Sequence, residues 1–174
     1  EKYKYQNNYY YIMKVGIISD THDNIWNMDK IFAMIKNSNI ETLIHCGDLC
    51  APFIVKKLAE LGMPVHFVFG NTDDRFLTTR VSANYENMNL YGDLAEFELD
   101  GKKFGVTHFP RIATALARSG DFDVVCFGHN HTKSEERIGK TLMVNPGEAS
   151  GVAKDASFAI YDTKTDKVEF FEIK

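Results

Sequence analysis

Four short motifs follow one another along the chain: Asp20-Thr21-His22, Gly47-Asp48, Gly70-Asn71-Thr72-Asp73 and Gly128-His129-Asn130-His131. His108 stands alone between the third and the fourth. Carboxylate, amide and imidazole groups are the oxygen and nitrogen donors that hard and borderline divalent cations accept. Asp20 and His22 lie two apart, so on an extended segment both side chains share one side, and His129 and His131 repeat the arrangement. The carboxylate of Asp48 has two oxygens with several lone pairs, enough to touch two cations at once. Asn71 adds a neutral amide oxygen and His108 an imidazole nitrogen. Taken singly, an Asp after a strand is an ordinary turn or cap residue. The ordered set points to a metal centre.

Such side chains must be carried to one place, and the elements before each motif do that. Val15-Gly16-Ile17-Ile18 is a short apolar run ending at Ser19-Asp20, the pattern of a buried strand. From Ile25 to Lys36 the apolar residues Ile25, Met28, Ile31, Phe32 and Ile35 fall on one helix face. A second strand, Thr42 to His45, runs into Gly47-Asp48. A helix then opens near Pro52, carries Phe53, Val55, Leu58 and Leu61, and stops at Gly62. A third strand, Val65 to Phe69, ends at Gly70-Asn71. Alternating strands and helices imply a parallel sheet with right-handed crossovers, and ligands of such sheets gather at the carboxyl ends of strands. Every motif falls at such an end.

The second half carries antiparallel signals. Leu94 to Leu99 and Lys102 to Thr107 flank Asp100-Gly101, a favoured hairpin turn. A short helix is predicted from Ile112 to Arg118, and a strand from Asp123 to Phe127 delivers Gly128-His129. Four further strands are predicted over 132–137, 141–144, 157–162 and 168–173. The expected architecture is a two-sheet α/β sandwich, parallel in its first half and antiparallel in its C-terminal strands. Residues 13–174 are expected to form one domain. Glu1 to Ile12 is Tyr-rich, polar and without period, and reads as an extension or expression remnant.

Composition narrows the function classes. The chain has 174 residues, 44% hydrophobic and 25% charged, which suits one folded domain with a real core. A net charge of -4 and the absence of a basic run give no footprint for duplex nucleic acid or an acidic membrane. No apolar stretch approaches the ~18 residues of a membrane span. Cys46, Cys50 and Cys126 are dispersed and odd in number, which fits reduced thiols and a cytoplasmic setting.

The motif order D-x-H, G-D, G-N-x-[DE], lone His, G-H-x-H resembles that of the calcineurin-type metallophosphoesterases, specifically the small bacterial and archaeal phosphodiesterases. The resemblance covers residues 13–174. It implies that one metal is held by Asp20, His22, Asp48 and His131, and the other by Asp48, Asn71, His108 and His129, with Asp48 shared. It further implies a hydrolase that cleaves phosphoric esters with two divalent ions, manganese first and zinc, iron, nickel or cobalt as alternatives. The expected substrate is a small phosphoester, and small relatives of this type often form homodimers. Many members carry His at the third place of G-N-x-[DE], where it helps bind phosphate and release the leaving group; here that place is Thr72. Asp48, Asn71, Thr72 and Asp73 are therefore the candidate catalytic residues, Asp48 as the bridging one.

Two other readings compete. The small subunit of retromer resembles this fold but acts as an interaction platform with an eroded ligand set; no ligand position is eroded here. Nucleases of DNA repair share the motifs, and activity on short oligonucleotides fits the sequence better than activity on duplexes. The remaining polar residues have quieter readings. His45 and His66 lie inside strand-like runs and read as structural. Asn24 reads as a helix cap, with orientation of a metal ligand as the other reading for it and for Asp73. Trp26 reads as core packing more readily than as a pocket wall. Asn145-Pro146-Gly147 reads as a turn.

Overall fold

The computed structural model describes residues 13–173, so the expectation for Glu1 to Ile12 lies outside the described residues. The apolar run at the start forms β1 (Lys14–Ile18), and the helix expected after it is α1 (Ile25–Lys36). Its Met28, Ile31, Phe32 and Ile35 are buried, and Asn24 caps it by accepting the amide of Asn27. The chain continues through β2 (Thr42–His45), α2 (Phe53–Ala59) and β3 (Val65–Phe67). Next come α3 (Arg75–Ser82) and β4 (Met88–Leu90), neither of them among the elements expected from the sequence. The buried residues of α3 are only Thr78 and Ser82, so it has no apolar stripe to read, and β4 is three residues long.

β1, β2, β3 and β4 pair in parallel, and the C-terminal strands β10 (Ala156–Asp162) and β11 (Lys167–Ile173) extend the same sheet antiparallel from β1. The second sheet runs β5-β6-β7-β9-β8. Its hairpin joins β5 (Leu94–Leu99) to β6 (Lys102–Thr107). Asp100 and Gly101 both have positive φ, 49° and 72°, the conformation that a two-residue type I′ turn requires. α4 (Pro110–Ser119) follows, then β7 (Val124–Cys126), β8 (Ser134–Ile138) and β9 (Thr141–Asn145). The pairs β6·β7 and β7·β9 are parallel, so the second half is mixed and not simply antiparallel. A two-sheet α/β sandwich is the result.

Alternation along the strands fills three layers of core. Val15, Ile17 and Ile44 of the first sheet, with Val68 just past β3, meet Phe104, Val106, Leu142 and Val144 of the second. Ile18, Leu43 and Phe67 face the helices α1 and α2. Ala113, Ala117, Phe122 and Met143 seat α4 on the outer face of the second sheet. Trp26 departs from its expected place: it is 74% exposed. Position 26 lies opposite the stripe of Met28, Ile31 and Ile35 on a helix of 3.6 residues per turn, so burial of that stripe turns the indole outward.

Candidate metal centre

The loops that leave β1, β2, β3, β6 and β7 meet at one edge of the sandwich. Asp20 follows β1 and is fully buried, with His22 half-buried behind it. Asp48 follows β2, Asn71 follows β3, and His108 is the residue after β6, wholly buried. His129 and His131 follow β7. All seven positions singled out in the sequence converge. Five of them, Asp20, His22, Asp48, His129 and His131, have positive φ between 40° and 74°. That backbone conformation is uncommon for side-chain-bearing residues and clusters at functional sites.

The glycines of the motifs make this crowding possible. A Cβ on Gly70 would lie 2.0 Å from Asp48 Oδ1, and one on Gly128 would lie 2.0 Å from Ser19 Oγ and 2.7 Å from Asp20 Oδ2. The backbone can approach the carboxylates only without a side chain.

The donor atoms form two adjoining groups. In the first, Asp20 Oδ1 lies 3.2 Å from His131 Nε2 and 3.7 Å from His22 Nε2, and the two Nε2 atoms are 3.3 Å apart. In the second, Asn71 Oδ1 lies 2.9 Å from His129 Nδ1 and 3.2 Å from His108 Nε2, and those nitrogens are also 3.3 Å apart. Asp48 Oδ2 sits between them, 3.7 Å from His22 Nε2 and 3.4 Å from His108 Nε2. His108 Nδ1 donates to the Cys46 carbonyl at 2.8 Å, so its Nε2 lone pair is free and points into the site. Asp20 Oδ1 is buried and has no hydrogen-bond partner. A buried carboxylate oxygen without a donor is costly, and two imidazole nitrogens set face to face need a proton or a cation between their lone pairs. Divalent cations would satisfy them all, so the donor set fits metal binding.

Electrostatics agree with ionised carboxylates. Burial pushes the Asp48 carboxyl up, but the His108 side chain and the Thr72 amide, 2.9 Å from Oδ1, bring it well below the usual range. Burial likewise raises Asp20, and the neighbouring His22, His108 and His131 outweigh it.

A profile of the calcineurin-like phosphoesterase superfamily domain matches residues 13–166. A phosphodiesterase of Methanocaldococcus jannaschii is 34% identical over 165 residues, 92% of this chain and 98% of that protein. The chain belongs to the calcineurin-like phosphoesterase superfamily. The solved structure of an archaeal phosphodiesterase superposes on this calcineurin-like phosphoesterase with a TM-score of 0.87 at 31% identity, covering 92% of this chain and 100% of that one. Vacuolar protein sorting 29 of Cryptosporidium parvum shares the fold, with a TM-score of 0.71 at 18% identity over 94% of this chain and 93% of that one. No helix among the described residues of the phosphoesterase is long and apolar enough to cross a membrane.

Around the donors the phosphoesterase builds supports, and of these only Asp73 was singled out in its sequence. Asp73 accepts the backbone N–H groups of Gly70 at 2.7 Å, Cys50 at 2.7 Å and Asp48 at 3.1 Å, so its carboxylate clamps two ligand loops together. Burial pushes its carboxyl up, against the pull of those amides. Cys50 Sγ lies 3.3 Å from His22 Nδ1 and 3.1 Å from Thr72 Oγ1. Glu148, three residues past β9, faces His131 Nδ1 at 3.2 Å. Its only sequence signal is an acid just after a strand and a Pro-Gly turn, on the edge that also carries His129. The Asn145-Pro146-Gly147 turn is internally bonded, with the Gly147 amide donating to Asn145 Oδ1 at 2.9 Å.

His45 and His66 lie outside the donor groups. The Gly47 amide donates to His45 Nδ1 at 3.1 Å, leaving the proton on Nε2, 3.1 Å from Thr21 Oγ1. Burial pushes the His45 imidazole down to about 4 and lowers His66 as well. His66 stacks on Phe97 at 4.3 Å between ring centres, with Nδ1 2.8 Å from the Tyr91 hydroxyl.

Proposed function

We propose that this phosphoesterase hydrolyses phosphodiesters with two divalent cations. Asp20, His22, Asp48 and His131 would hold one, and Asp48, Asn71, His108 and His129 the other. The observation that carries the reading is the unpartnered, buried Oδ1 of Asp20, faced by two imidazole nitrogens that face each other. Manganese is the proposed ion; zinc, iron, nickel and cobalt accept the same oxygen and nitrogen donors. When bound, such cations supply charge to the phosphoryl oxygens and a nucleophilic water at neutral pH.

The residues of the chain contribute position and charge, which dominate phosphoryl-transfer catalysis. Buried Asp20, Asp48 and His108 make the floor of the site, while Asn71, Thr72 and His129 are exposed and stand where a substrate enters. Thr72 gives its amide to Asp48 Oδ1 and pairs its hydroxyl with Cys50 Sγ. It therefore brings no imidazolium to a departing oxygen, a lack that a diester with an acidic leaving group tolerates best. The Methanocaldococcus relative, a phosphodiesterase by name, supports the same class. The proposed setting is the cytosol, with the Cys46 and Cys126 thiols buried and reduced.

The test is metal analysis of the purified protein beside a hydrolysis screen. The screen covers bis-p-nitrophenyl phosphate, p-nitrophenyl phosphate and 2′,3′- and 3′,5′-cyclic nucleotides, with and without added manganese. Two bound equivalents and metal-dependent diester cleavage are expected. A protein that binds no divalent ion and cleaves none of these substrates would end the reading.

A further inference from the structure

The imidazole of His131 is bracketed by two buried carboxylates. Nε2 lies 3.2 Å from Asp20 Oδ1 and Nδ1 lies 3.2 Å from Glu148 Oε2. The two carboxylates differ in what else they hold. Asp20 Oδ1 has no hydrogen-bond donor. Glu148 is fully buried yet well supplied: Oε2 accepts the Ser150 hydroxyl and the Val152 amide at 3.1 Å, and Oε1 accepts the amides of Ala153 at 2.8 Å and of Lys154. Those donors let a carboxylate remain charged away from water.

The segment that carries Glu148 is fastened to the segment that carries Asp20. The Ala149 amide donates to the Ser19 carbonyl at 2.8 Å, and the Ser150 amide to the Asp20 carbonyl at 3.0 Å. The side-chain amides of Asn24 and Asn27 both donate to the Ser150 carbonyl, at 2.6 Å and 2.9 Å. The distance between the two carboxylates is thus fixed by backbone, and the ring stands between them.

We propose that Glu148 is a positioning residue of the metal centre, keeping the proton of His131 on Nδ1 and its Nε2 lone pair turned toward Asp20. The inference rests on the two-cation reading above. It assigns Glu148 a task distinct from the seven donors: it touches no substrate and no cation, and acts through the ring. A carboxylate on the far nitrogen of a ligating imidazole fixes the ring and raises its basicity, and loss of such partners typically lowers metal affinity ~10–100-fold. Two of the other imidazoles have weaker partners on their far nitrogens, a carbonyl for His108 and a thiol for His22.

The experiment compares the wild type with Glu148→Gln and Glu148→Asp. Manganese binding is followed by calorimetry, and the absorption spectrum is recorded after cobalt loading. Glu148→Gln keeps size and acceptor oxygen but loses the charge. It should weaken one equivalent of manganese roughly 10–100-fold and alter the cobalt spectrum, with the other equivalent little changed. Glu148→Asp should recover part of the affinity. Equal affinity and an unchanged spectrum in Glu148→Gln, with a wild type that binds two ions, would overturn the role of Glu148 alone. A wild type that binds no ion would overturn the two-cation reading itself. If Glu148→Gln fails to fold, nitrogen NMR of the zinc-loaded wild type decides. A His131 proton on Nδ1 supports the assignment, and a proton on Nε2 refutes it.

Discussion

The side-chain carboxylate of Asp73 accepts the backbone N–H of Asp48 at 3.1 Å. The contact joins the loop after β2 to the loop after β3, and the same carboxylate also takes the amides of Gly70 and Cys50. Asp73 thereby sets where Asp48 can stand. Its oxygens are spent on backbone, which leaves it a scaffold for the neighbouring donors.

Asp73→Ala should accordingly cost stability before chemistry. Three amides lose a charged acceptor, and a loss of about 3 kcal/mol or more follows from the usual cost of unpaired buried donors. In a domain of this size that is a fall in Tm of roughly 6–12 °C. Asp73→Asn keeps one acceptor oxygen and should fall between the two. A thermal melt checks this. An alanine variant that melts like the wild type but has lost turnover would show that Asp73 acts in the reaction.

Asp48 Oδ2 lies between the two donor groups, 3.7 Å from His22 Nε2 and 3.4 Å from His108 Nε2. Asp48→Asn should lose at least one equivalent of metal and at least ~10²-fold in turnover, the scale of several kcal/mol of lost charge stabilisation. Elemental analysis and steady-state kinetics are the measurements. A variant with both ions and near-normal turnover would contradict the bridging role.

Thr72 offers a neutral hydroxyl where many relatives have an imidazole. A phosphomonoester is a dianion with a poor alkoxide leaving group and suffers most from that lack. Wild-type kcat/KM should favour aryl diesters over alkyl monoesters. Thr72→His should raise monoesterase more than diesterase activity, by part of the ~10²-fold that a well-placed general acid supplies. If the wild type prefers alkyl monoesters and the ratio does not move in the variant, position 72 does not set the preference.

His45 makes the fold sensitive to mild acid. Its imidazole is neutral in the folded protein, pushed by burial from 6.5 to about 4. The unfolded chain binds the proton first, so this contribution to stability is complete above pH 6.5 and is lost as the pH falls toward 4. The span corresponds to roughly 3 kcal/mol at most. Urea unfolding in chelator at a series of pH values should show a shallower decline for His45→Gln than for the wild type. Parallel curves for the two proteins would mean that another group carries the acid sensitivity.

Much was legible from the order of residues alone. A strand ends where an apolar run stops, so β1, β2 and β7 and the donors that follow them could be placed by pattern. Asn24 as a cap and Asp100-Gly101 as a turn followed from local backbone chemistry, which depends on neighbours in sequence. The candidate metal donors could be picked out because their types are few and their order is characteristic. Other features depended on contacts between distant segments. α3 was hidden because its buried face is Thr78 and Ser82, polar residues whose burial is decided by what packs on them. Trp26 faces solvent because the opposite face of α1 had more to bury. Asp73 stands out in the sequence as the last residue of Gly70-Asn71-Thr72-Asp73, but its backbone partners do not, and Glu148 is an ordinary acid there. Only the folding together of separate loops gives the first the amides of Asp48 and Cys50, 25 and 23 residues away, and sets the second against His131 on a segment fastened to the loop of Asp20. The sequence determined which groups could bind a cation; the tertiary structure decided which groups would hold them in place, because hydrogen bonds between loops form only once the sheets have brought those loops to one edge.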